Sequence, residues 1–74
     1  MAAKIFRFDY FQADGWFVGF VQFTKNVQGQ GRTLAELTAD LADSLRALAN
    51  DVSYGAVQHN PDLPDNFEVG TVVI

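Results

Sequence analysis

Not one of the 74 residues is cysteine. Disulfides and thiolate metal sites are therefore excluded, and nothing marks a secreted, stapled scaffold. A cytoplasmic location is the expectation. Histidine and tryptophan occur once each, as His59 and Trp16. Long apolar runs are missing too: no stretch approaches the ~20 residues of a membrane-spanning helix. The opening MAAKIFRFDY has no apolar core followed by a small-residue cleavage site, so neither a signal peptide nor a membrane segment is expected. Bases are few. Lys4, Arg7, Lys25, Arg32 and Arg46 stand against nine acids, for a net charge of −4. They are too scattered to neutralise a row of phosphates, which disfavours direct nucleic-acid binding. A basic protein partner suits the acidic surface better.

What the chain has in quantity is aromatic side chains: seven Phe, two Tyr and one Trp. A chain this short forms one domain, residues 1–74, and buries only about 60% of its unfolded surface. Hiding all these rings inside is difficult.

Local patterns predict the elements. Residues 4–12, KIFRFDYFQ, alternate at the strand period, with Phe6, Phe8 and Tyr10 on one face and Ile5, Arg7, Asp9 and Phe11 on the other. Asp14-Gly15 is a hairpin turn signal. The return strand, Trp16 to Phe23, sets Phe17, Gly19, Val21 and Phe23 on one side and Trp16, Val18, Phe20 and Gln22 on the other. Lys25-Asn26 turns the chain into a short third strand, Val27 to Gln30. Thr33 and Glu36 then form a capping box, with the glutamate expected to reach the Thr33 N–H. Leu34, Leu37, Leu41, Leu45 and Leu48 recur on one arc of a helix ending near Asn50-Asp51. VSYGAVQHNPDLPDN is a long connector, and FEVGTVVI is a β-branched fourth strand. The predicted fold is α+β, in the order β-β-β-α-β: a three-stranded antiparallel meander, one amphipathic helix on one sheet face, and a C-terminal strand.

Chemical motifs are weak. GQGRT, with Gly29 and Gly31 before a helix, has the spacing of neither phosphate-binding fingerprint, and a turn plus a cap accounts for it. His59, Asp62 and Asp65 lack a second histidine and read as a proline-stiffened loop, so no metal or cofactor is expected. Nothing around His59 forms a nucleophile–base pair. Glu36 and Asp40 are like charges one helical turn apart, a mild cost without evident structural return. With Asp43 they form an acidic arc. It is read either as a solvated face or as the contact for a basic partner.

The sheet has a second apolar face. If Phe6, Phe8, Tyr10, Phe17, Gly19 and Val21 lie under the leucines, with Gly19 admitting the helix, then Ile5, Phe11, Trp16, Val18 and Phe20 lie outside. Either the connector folds over them or they form an interface, and the interface is the favoured reading.

The order strand, Asp-Gly turn, strand, short strand and G-x-T-x-x-E helix start resembles the N-terminal domain of HicB-like antitoxins over about residues 4–48. Asp14-Gly15, Val21, Gly31, Thr33 and Glu36 sit where that family's pattern has them. Phe23-Thr24-Lys25-Asn26 stands where the family often has Leu-Pro-Gly. Residues 49–74 read as connector and strand, where many members carry a DNA-binding domain. The resemblance implies a truncated ribonuclease-H-like fold that commonly dimerises and neutralises a small basic RNA-cleaving toxin by covering its active site. The expectation is a non-enzymatic homodimer or higher homo-oligomer that binds proteins. The competing expectation is an oligomer holding a small molecule in an aromatic pocket between protomers.

Overall fold

Alternation and turn chemistry build the first half of the chain. The computed structural model describes residues 3–74, with Ala49 described for its backbone alone. β1 (Ile5–Ala13) and β2 (Trp16–Val21) form a hairpin with Ala13 opposite Trp16. The two turn residues have φ of 52° at Asp14 and 80° at Gly15. Positive φ at both positions is the turn geometry that matches the twist of paired strands, and Asp-Gly is a favoured pair for it. β3 (Gln28–Gly31) and β4 (Glu68–Val73) complete an antiparallel sheet in the order β3-β2-β1-β4. The helix α1 (Leu34–Leu48) covers one face, followed by a single 3-10 turn at Ala49–Asp51. This is the predicted α+β, β-β-β-α-β layout.

The core lies where α1 meets the sheet. Phe8, Val21, Val27, Leu37, Leu41, Ala42, Leu45 and Val72 are buried, with Phe6, Tyr10, Phe17 and Leu48 packed against them. Burying Leu37, Leu41 and Leu45 contributes about 1.5–3 kcal/mol each. The inner face is the one predicted. Gly19 sits under the helix, where an added Cβ would lie 3.1 Å from both Leu37 methyls.

Three details differ from expectation. Leu34 is 40% exposed, because it opens the helix one turn before the leucine stripe reaches the sheet at Leu37. Gly31 extends β3 beyond the predicted end at Gln30 instead of lying in a turn, and both it and Gly29 face the helix. A Cβ on Gly31 would stand 2.5 Å from the Leu37 nitrogen, and one on Gly29 2.7 Å from an Asp40 oxygen. Both glycines serve close approach of helix to strand. Lastly, Thr33 Oγ1 accepts from the Glu36 N–H as a cap should, but Glu36 takes the Arg32 N–H instead of that of Thr33.

Candidate functional site

The connector is more ordered than its composition suggests. Phe23 adopts φ of 61°, a left-handed conformation rare for an aromatic residue. In that conformation its N–H donates to Gln58 O at 3.1 Å and its carbonyl accepts from Gly55 N–H at 2.8 Å. Lys25 N–H donates to Ser53 O, and Asn26 bonds the connector backbone through both side-chain ends, donating to Asp51 O and accepting from Ser53 N–H. Farther on, Asn60, Pro61, Asp62 and Leu63 form a β-turn. Leu63 N–H donates to Asn60 O, and Asp62 N–H donates to Asn60 Oδ1. Asparagine first and proline second are common in such turns. Turn chemistry thus accounts for much of HNPDLPD.

These ties carry the connector onto the outer sheet face, where it meets Asp9. That aspartate lies mid-sheet, opposite Phe20 on one side and Val69 on the other, and is fully buried. A buried carboxylate needs partners. Oδ1 accepts from Gln22 Nε2 at 2.8 Å, and Oδ2 lies 2.6 Å from His59 Nδ1. Gln58 Nε2 donates to Gln22 Oε1 at 3.2 Å. The His59 ring packs at 4.9 Å against that of Phe67, just ahead of β4. No buried side-chain polar atom among the described residues lacks a partner.

His59 therefore pairs with a residue fifty positions away rather than with Asp62 or Asp65, and the described residues hold no group of three potential metal ligands. Its ring is 42% exposed and lines a cleft of about 410 Å³ with Thr24, Lys25, Val57, Asn60 and Pro61. An aspartate on Nδ1 favours the tautomer that carries its proton there, leaving Nε2 as an acceptor.

The connector takes the centre of the outer face and leaves its flanks. Of the residues expected to form an interface, Ile5 is 70% exposed, whereas Phe11, Trp16, Val18 and Phe20 are half-buried. Phe11 stacks on Phe20 with ring centres 6.5 Å apart. The Arg32 guanidinium lies 4.3 Å over the Trp16 ring, a cation–π contact. Val69 and Val73, which the sequence reading did not single out, are 52% and 53% exposed beside Ile5. Their alternation within FEVGTVVI was the available signal.

The acidic arc has a structural return after all. Asp40 Oδ2 accepts from Gln30 N–H at 3.0 Å and Glu36 Oε2 from Arg32 N–H at 3.1 Å. The helix carboxylates satisfy backbone donors along the outer edge of β3. Asp43 stays exposed, with Arg46 at 3.5 Å. At the other side of the sheet, Tyr10 Oη donates to Glu68 Oε2 at 2.9 Å. That bond, helped by burial and by the carboxylate's charge, holds the phenol above its ordinary value of 10.0.

No helix among the described residues is long and apolar enough to cross a membrane. Comparison of the chain with protein-family models, with curated proteins and with solved structures finds no match.

Proposed function

We propose that this chain is a non-enzymatic, self-associating protein-binding domain of the HicB-antitoxin kind. The observation that carries the reading is the apolar patch left on the outer face. Ile5 and Val73 are cross-strand partners, Val69 lies on the same face of β4, and all three are more than half exposed. Side chains of this kind on adjacent strands of a soluble domain mark a contact surface. In the specific version of the reading, the partner is a small basic RNA-cleaving toxin. The acids Glu36, Asp40 and Asp43 orient it, each still solvent-exposed, and the body of the domain blocks its RNA site. Such charges act mainly on orientation and on-rate.

Sedimentation equilibrium over a wide concentration range tests self-association. Ile5→Glu is expected to weaken the oligomer while leaving the circular dichroism spectrum unchanged. A wild-type chain that stays monomeric at the highest concentration removes self-association from the reading. For the toxin version, calorimetric titration with the product of a neighbouring small basic gene is the direct test.

The cleft beside His59 favours a second reading, a small-molecule binder. Its lining holds no Phe, Tyr or Trp, so it is a different site from an aromatic pocket between protomers. Thermal stabilisation by a metabolite, lost in His59→Ala, would select this reading over the first.

A further inference from the structure

The two edges of the sheet are not equivalent. In an antiparallel ladder, residues on a strand alternately face their partner strand and face away. Lys4 and Ile74 exchange both backbone bonds. In the same register, Phe6–Val72, Phe8–Gly70 and Tyr10–Glu68 are the bonded pairs. Val69, Thr71 and Val73 therefore turn their N–H and C=O groups away from β1, toward the outer edge of β4. The same alternation applies at β3, where Val21 N–H donates to Val27 O and Gln30 and Arg32 face outward. There the donors are already taken by Asp40 and Glu36. The outward donors of Gln30 and Arg32 at one edge are held by helix carboxylates, whereas no side chain among the described residues holds the outward donors of β4.

The open edge is lightly protected, its one charged side chain, Glu68, being engaged by Tyr10. Glu68–Val73 reads EVGTVV, with no proline and no lysine, and it pairs with β1 through an unbroken register. The helix packs closest to β3 and also reaches the inner face of β4, where Val72 is buried, while Val69, Thr71 and Val73 stay exposed.

We infer that β4 pairs antiparallel with β4 of a second copy about a two-fold axis at Thr71, an inference that rests on the self-association reading above. The strand is complementary to itself in this register. Thr71 meets Thr71 of the other copy, and Val69 meets Val73 twice. All three residues are the outward-facing ones, so the two strands exchange about six backbone hydrogen bonds. The valines, each about half exposed in the single chain, cover one another, and Ile5 flanks the seam beside Val73. Centring the axis on Gly70 instead would set Val69 against Thr71 and leave two glycines facing without side chains. An unrelated strand would satisfy the backbone but has no reason to match the valine spacing. The occupant is a second copy of this chain, and the product is a continuous eight-stranded sheet.

The absence of cysteine makes the test direct, because an introduced cysteine is the only thiol. Residues opposite one another in a bonded pair lie about 5.5 Å apart at Cα, within disulfide reach. Thr71→Cys, at an exposed position, is expected to form a covalent dimer on mild oxidation, at least tenfold faster than Gln30→Cys on the closed edge. Val73→Lys, checked for folding by circular dichroism, is expected to raise the dimer dissociation constant at least tenfold in sedimentation equilibrium. A dimer that forms but neither crosslinks preferentially at Thr71 nor responds to Val73→Lys overturns the edge pairing and leaves self-association standing. A wild-type monomer overturns both.

Discussion

Asp9 is the residue whose surroundings do most to organise the second face of the sheet. A charged side chain in the middle of a strand reads as a solvent-facing position, yet this one is fully buried. Its two oxygens are held by Gln22 from the neighbouring strand and His59 from the connector. Removing the imidazole leaves a buried carboxylate one bond short, and the half-exposed position admits some water in compensation. His59→Ala is therefore expected to cost about 1–3 kcal/mol in urea unfolding. A change below half a kcal/mol would show that the connector stays docked without it. Leu41, fully buried, is expected to lose about 2–5 kcal/mol on truncation to alanine, as a core cavity. Tyr10 gives a pH signature. Its pKa in the folded state is raised, first by the Glu68 hydrogen bond. The associated stability is then complete below the unfolded value and disappears as pH rises through the folded one. Above pH 10.0, wild type should lose stability more steeply than Tyr10→Phe. Parallel curves in that range would count against the bond.

Among the elements, the contact between α1 and β3 is the tightest. Gly31→Ala would push a methyl to 2.5 Å from the backbone of α1, where no rotamer can yield, and should cost about 1–3 kcal/mol by overpacking. Chemical denaturation of the purified variant measures this directly. The same pair of elements shows what could be read from sequence. Strand alternation, the Asp14-Gly15 turn, the Thr33 cap and the leucine period are local signals, and they located the strands, the helix and the inner face. Gly29 and Gly31 are visible in the sequence, but their service in close packing is not, because it depends on a helix that arrives later in the chain. Glu36 and Asp40 were likewise visible as an acidic row. Their bonds to Gln30 and Arg32 depend on how near the helix comes to the strand, which periodicity does not encode. The Asp9–His59 pair was hidden most completely. It joins residues fifty positions apart across a connector with no repeating pattern, so no local window contains both.

At the scale of the whole molecule, a flat body with principal extents of 36 × 26 × 16 Å offers two broad faces and two edges. The helix takes one face, the connector the middle of the other, and two carboxylates take one edge. Glu36 and Asp40 then have a consequence beyond satisfying β3. An assembly that grows by adding strands stops when each copy can join at one side only, and continues without limit when it can join at both. For copies paired through β4, shielding of Gln30 and Arg32 at β3 would make these two acids chain terminators, holding such an assembly at a closed pair instead of a fibre. A Glu36→Ala, Asp40→Ala double variant exposes both sides at once. Light scattering that climbs with time and concentration in that variant, but not in wild type, is the expected sign. Adding Val73→Lys should then cap the filaments from the other end.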